Sequence, residues 1–140
     1  MIFLILSSFI VILGNITLHS YVVKYLKNNY QKNQSTKSYA LVTSVLICSH
    51  IAQVLLFTLL YFFLLKISPF FGAFSGTTEN IFLDIFYYSF NCYTTLGMGD
   101  VFATGPIRII AVLESLIGLI MIAWSASLLL SILLNKKEIS

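Results

Sequence analysis

The chain has 140 residues, of which 59% are hydrophobic and 9% charged, with a formal net charge of +3 and a mean hydropathy of +0.95. That composition belongs to a membrane protein and excludes a water-soluble enzyme core. It also excludes a nucleic-acid-binding surface, because the basic residues stand at the ends of apolar stretches rather than together on a polar face.

Three stretches, Ile2 to Tyr25, Tyr39 to Leu65 and Ile107 to Leu134, are each long enough to cross roughly 30 Å of hydrocarbon at about 1.5 Å per helical residue. They predict an all-α membrane protein with three transmembrane helices. Lys24, Lys27, Lys32 and Lys37 fall between the first two stretches and Lys136 and Lys137 follow the third, with only Lys66 and Arg108 on the opposite side. Lysine excess marks the cytoplasmic side. The expected setting is a cell membrane, with a bacterial inner membrane favoured because organellar targeting signals are lacking; the N-terminus lies outside and the C-terminus in the cytoplasm.

The first span (domain 1–27) has no basic residue before its apolar run and no small-x-small cleavage site, so it is expected to be a retained helix and not a signal peptide. Asn15, Thr17 and His19 interrupt its second half and are expected to hydrogen-bond to a neighbouring helix, with His19 packing rather than binding a ligand or relaying protons. Without arginines at every third position it is no voltage sensor. Residues 28–38 are polar, basic and without apolar periodicity, a cytoplasmic loop that is either solvated or touches anionic lipid.

The remaining span regions follow as an outer helix (39–66), an outer connection (67–80) and, at the far end, an inner helix (106–134) and a short tail (135–140) too small for a ligand-sensing domain. His50 and Gln53, three positions apart, share a helix face expected to point into the bundle. Cys48 and Cys92 read as small apolar fillers rather than a disulfide. The Asn15 glycosylation triplet lies inside a span and the Asn33 triplet on the cytoplasmic side, so neither is expected to be modified. Lys66 snorkels to the outer interface, and Pro69 stops the helix.

Ile81 to Tyr93 is roughly 20 Å long as a helix, too short to cross a bilayer, and it is crowded with Phe82, Phe86, Tyr87, Tyr88, Phe90 and Tyr93. A short apolar helix followed by irregular backbone is tolerated at membrane depth where protein surrounds it or it lines a watery cavity. A re-entrant helix is therefore expected, capped by Asn80; a half-buried aromatic helix in a simple bundle is the alternative. Its partly negative C-terminal end would aim at a cation path. Glu79, Asp84 and Asp100 would favour cations near the outer mouth.

Thr94 to Asp100 reads Thr-Thr-Leu-Gly-Met-Gly-Asp. Gly97 and Gly99 reach positive φ without a steric penalty, so the backbone can alternate in handedness. Successive carbonyls then point one way while the Leu96 and Met98 side chains point back. One such strand is a single column of dipoles; several about an axis make rings of oxygens, with the Thr95 hydroxyl adding one more. The bland alternative is a glycine-bulged outer loop.

This stretch resembles the selectivity filter of pore-loop potassium channels, usually Thr-Val-Gly-Tyr-Gly-Asp, and with its flanking helices the resemblance covers roughly residues 39–134, the pore module of bacterial two-transmembrane-helix channels. The first helix is an addition to that plan. Carbonyl-ring selectivity is a well-known property of such filters. The resemblance implies a homotetramer, since a single chain cannot enclose the filter. Potassium ions would be held at Thr95, Leu96, Gly97 and Met98, with Gly99 completing the ion-binding set. Thr94 and Asp100 flank it as support. Tyr87 and Tyr88 stand where the family carries a Trp pair, and Asn91 where some members carry a Glu that bonds the filter aspartate. Met98 replaces a Tyr whose hydroxyl holds the filter at its diameter; a thioether cannot donate that bond. Cation conduction is expected to survive, with strict preference for potassium over sodium the open question.

Pro106 suits the start of the inner helix. Gly118, near its middle, is either the family's gating hinge or a close helix contact. Taken as facing the pore, it puts Ile122, Ala126, Leu130 and Leu134 along the inner cavity, with an apolar ring able to close by dewetting. Glu114, a carboxylate inside the span, is expected to hydrogen-bond the back of the re-entrant helix; Arg108, six positions away, is not its partner. No residue is cast as catalytic, no metal-ligand spacing or nucleophile elbow is present, and no cofactor is expected beyond potassium or sodium ions. The function these readings favour is a potassium-selective channel. A non-selective sodium/potassium channel on the same fold and a non-conducting, channel-like membrane subunit remain as alternatives. The expected partners are identical subunits, the lipid bilayer, monovalent cations and an unspecified regulatory subunit.

Overall fold

The apolar stretches form helices α1 (Ile2–Tyr30), α2 (Thr36–Ile67) and α4 (Arg108–Leu134), and the short aromatic stretch forms α3 (Ile81–Tyr93). The computed structural model describes residues 2–30, 35–76 and 78–134. Most of the expected basic loop's centre (31–34) and the expected tail (135–140) lie outside the described residues. All three long helices are long and apolar enough to cross a membrane.

The helices overrun the apolar stretches because backbone hydrogen bonding continues where side chains turn polar. At the end of α1 the Asn29 side chain folds back, its Nδ2 donating to the Tyr25 carbonyl at 2.8 Å. At the start of α2 the Ser35 hydroxyl accepts from the Ser38 N–H at 3.2 Å, an N-cap that satisfies one of the free donors of a helix start. Ser68 closes α2 and its hydroxyl accepts from the Phe70 N–H at 3.2 Å, leading into a 3-10 turn opened by Pro69.

Two clusters of buried residues set the packing. One joins Leu4 of α1 to Phe57, Tyr61 and Leu64 of α2, Ile85 of α3, and Ile107 and Ile110 before and within α4. The other joins Leu26, Val42, Leu46, Leu128 and Ile132. Thus α1 and α4 run in the same direction and α2 runs against both. The outward faces carry exposed Leu13, Leu59, Phe63, Val112 and Leu119, as expected of helices whose solvent is hydrocarbon.

The outer connection holds a feature that the sequence reading did not contain. Strands β1 (Ala73–Ser75) and β2 (Phe102–Thr104) pair antiparallel with Phe74 opposite Ala103. The Thr104 hydroxyl adds a bond to the Ala73 carbonyl at 3.1 Å. This ribbon ties the segment before α3 to the segment after the Thr94–Asp100 loop. Gly76 makes the approach possible, with φ +79° and a position where a Cβ would collide with the Asp100 carbonyl oxygen. Strands of three residues are too short to show a period-two pattern in sequence.

Replacing Gly76 by alanine is expected to destabilise the detergent-solubilised protein by more than about 1 kcal/mol, from the left-handed backbone alone. Gly14→Ala, on an open stretch of α1 with nothing near the new methyl, is expected to stay within about 1 kcal/mol of wild type. Thermal unfolding followed by circular dichroism compares the two.

Candidate functional site

The candidate site is built from the C-terminal end of α3 outward. The helix starts where the Asn80 carboxamide oxygen accepts from the Leu83 N–H at 3.2 Å. Asp84 in the first turn is buried and accepts from the Thr78 N–H at 2.7 Å and the Thr78 hydroxyl at 3.1 Å. Its carboxylate thereby holds the preceding loop against the first turn of α3. Glu79 and Asp100 are the exposed carboxylates at this end.

At its other end α3 tightens before the chain leaves it. The Thr94 N–H bonds to the Phe90 carbonyl at 3.0 Å, Thr95 to Cys92 at 3.0 Å and Leu96 to Asn91 at 2.9 Å. Three alternate residues then take positive φ: Thr95 at 58°, Gly97 at 63° and Gly99 at 81°. Thr95 is the only non-glycine with positive φ among the described residues. The two glycines were the readable part of this alternation; the strained threonine was not. Residues 95–100 are all exposed on the isolated chain.

Asn91 reaches this loop, but at a different point from the one its family position implies. Its Oδ1 accepts from the Met98 N–H at 3.5 Å and its Nδ2 donates to the Tyr87 carbonyl at 2.9 Å. Asp100 instead accepts from the Val101 N–H at 3.0 Å. A carboxamide is shorter than a glutamate side chain, so it stops at the nearer backbone amide. Met98 borders a cavity of about 380 Å³ shared with Tyr88, Cys92, Phe102 and Ser115. Leu96 does not line it. Cys48 and Cys92 are free thiols.

Behind the loop, Glu114 accepts from the Tyr61 hydroxyl at 2.8 Å and from the Ser89 hydroxyl. The Ser89 hydroxyl also lies 3.1 Å from the Val54 carbonyl. One carboxylate thus joins α2, α3 and α4, and Arg108 is exposed and apart from it. Tyr88 packs edge-on against Phe74 and Tyr61 at ring distances of 4.9 and 5.7 Å. Tyr87 is half-exposed and contributes its carbonyl to Asn91.

Gly118 faces the chain's own interior, which corrects its expected pore-facing position. A Cβ there would collide with the Tyr93 carbonyl oxygen. It is a close-contact glycine, the second of the two sequence alternatives. Ile122, Ala126, Leu130 and Leu134 are exposed, on the face of α4 away from the buried Ile117, Met121, Ser125 and Leu128. His19, His50 and Gln53 do meet, joined by Tyr93 and Ser125. These last two were not singled out as polar partners from sequence; mid-span histidines signal that partners exist but not which residues they are.

Glu114→Ala would strip the buried Tyr61 hydroxyl of its acceptor, at about 1–3 kcal/mol for the orphaned group, while the Ser89 hydroxyl keeps the Val54 carbonyl. Glu114→Gln keeps one oxygen and is expected to lose less than half as much stability. Denaturant titration of both variants in mixed micelles is the check.

The model of a family described as ion channel matches residues 44–135 of the chain. Neither a curated protein nor a solved structure matches it.

Proposed function

The chain belongs to the ion-channel family matched over residues 44–135, and we propose that it assembles as a homotetramer whose four Thr94–Asp100 loops form a potassium-selective filter. One observation carries this reading: positive φ at Thr95, Gly97 and Gly99, alternating with negative φ at Leu96 and Met98. A backbone of that kind can present a column of carbonyl oxygens, and only a closed ring of subunits gives a cation enough of them to replace its water. Ions shed water onto the Thr95, Leu96, Gly97, Met98 and Gly99 oxygens and advance by mutual repulsion. No cofactor takes part beyond these ions.

The surrounding groups take supporting roles in this reading. The exposed carboxylates Glu79 and Asp100 raise the local cation concentration at the mouth. The open face of α4 lines the inner cavity with Ile122, Ala126, Leu130 and Leu134, where an apolar constriction closes by dewetting. The lysine distribution puts the loop mouth and N-terminus outside a cell membrane and the Leu134 end at the cytoplasm.

A non-selective cation channel is the second reading, and one feature favours it. The Met98 N–H is held by Asn91 at 3.5 Å, the long limit of a hydrogen bond, while Met98 borders the cavity of about 380 Å³ and its thioether donates no bond.

The test is the reversal potential of the purified chain in a planar bilayer with potassium on one side and sodium on the other. A value near the potassium equilibrium potential is expected. A value near zero with clear single-channel steps contradicts potassium selectivity and supports the second reading. Met98→Tyr is expected to raise the potassium-to-sodium permeability ratio about tenfold, the equivalent of one net hydrogen bond.

A further inference from the structure

Midway along the three long helices, five polar side chains from four helices close into a ring. They are His19 of α1, His50 and Gln53 of α2, Tyr93 at the last position of α3 and Ser125 of α4. The spacings are Gln53 Nε2 to His19 Nδ1 3.2 Å, His19 Nε2 to Ser125 Oγ 3.4 Å, Ser125 Oγ to His50 Nε2 2.9 Å, His50 Nδ1 to Tyr93 Oη 2.9 Å and Tyr93 Oη to Gln53 Oε1 2.9 Å. His19 and Gln53 are fully buried and Tyr93 nearly so.

The direction of the ring follows from one group outside it. The Ser49 carbonyl, which can only accept, lies 3.2 Å from Gln53 Nε2, so the amide nitrogen occupies that corner and its oxygen the other. Its two hydrogens serve Ser49, whose hydroxyl also lies 3.2 Å from Nε2, and His19 Nδ1 at 3.2 Å; an amide nitrogen only donates, so Nδ1 is the acceptor of that pair. That nitrogen accepts, so His19 carries its proton on Nε2 and gives it to Ser125. Ser125 donates to His50 Nε2, which places the His50 proton on Nδ1, directed at Tyr93. Tyr93 donates to Gln53 Oε1 and the circuit closes. With every member uncharged, each gives one hydrogen bond and takes one around the ring.

Tyr93 is the residue immediately before Thr94 and Thr95, and its carbonyl is seated on Gly118. Its backbone is thus pinned by α4 and its hydroxyl by the ring. We propose that this one-directional ring positions the ion-coordinating loop, and that α1 belongs to the selectivity apparatus because His19 closes the ring. His19, His50, Gln53, Tyr93 and Ser125 are positioning residues and touch no ion. The inference rests on the reading of the Thr94–Asp100 loop as an ion filter.

The test uses the full chain in lipid bilayers with nitrogen-15 histidine, which labels two residues only. Solid-state NMR at neutral pH is expected to show one Nδ1–H and one Nε2–H imidazole, and the His19→Gln variant is expected to retire the Nε2–H signal. Two imidazoles of the same tautomer overturn the ring. In uniformly carbon-13- and nitrogen-15-labelled Tyr93→Phe, which keeps the side-chain volume, and His19→Phe, which does not touch Tyr93, the Thr95 and Gly97 amide signals are expected to shift from those of the wild type and the potassium-to-sodium permeability ratio to fall about tenfold. Ser20→Ala, which removes only a bond to the Ile16 carbonyl within α1, is expected to change neither. Unmoved Thr95 and Gly97 signals in both ring variants of a conducting wild type overturn the inference and leave the channel reading intact. Shifted loop signals in a chain that never conducts support the coupling of ring to loop and overturn the filter reading.

Discussion

A polar group at membrane depth has no water to fall back on, so it pairs within the protein or it destabilises the fold. The end of α3 is where that constraint falls hardest, because a helix that stops halfway across leaves its last carbonyls and the following backbone without regular partners. Three arrangements meet it. The Thr94, Thr95 and Leu96 amides fold back onto the last turn of α3. The Glu114 carboxylate collects the Tyr61 and Ser89 hydroxyls behind it. The Tyr93 carbonyl rests on Gly118, where the missing side chain lets two helices approach. The irregular loop is consequently held from below and behind, while its other side is exposed on the isolated chain.

The ribbon of β1 and β2 holds the same loop from its other end. It fastens the segment just after Asp100 to the connection that follows α2, so the loop is a span anchored at both ends rather than a free excursion. In the proposed filter such anchoring matters, because selectivity by carbonyl oxygens depends on where those oxygens sit. In the potassium-channel filters that this loop resembles, a tyrosine bond stands beside the loop. With Met98 in that place, the proposed filter would rest on Asn91, the ribbon and the ring through Tyr93.

How much of this was readable in sequence depended on whether the signal was local. The spans were readable because hydropathy is a sum over neighbours, and α3 because an Asn80 cap precedes an aromatic run that stops at Tyr93. Gly97 and Gly99 announced an unusual backbone because no other residue takes positive φ so cheaply. Thr95 gave no such warning, since its φ is imposed by its surroundings. Gly118 was legible as a small residue but not as to which way it faced, because orientation depends on which neighbour comes close. Asp84, Asn91 and the partners of His19 and His50 were decided by contacts across 6 to 106 positions of sequence, beyond the reach of any periodicity.

The central claim is that four copies of the Thr94–Asp100 loop surround one ion path. The most direct measurement is the anomalous scattering of crystals of the full chain grown in a rubidium or thallium salt. The account predicts four chains about an axis, with anomalous peaks on that axis level with the Thr95 to Gly99 carbonyls. A different number of chains, or four loops with no ion between them, would contradict it.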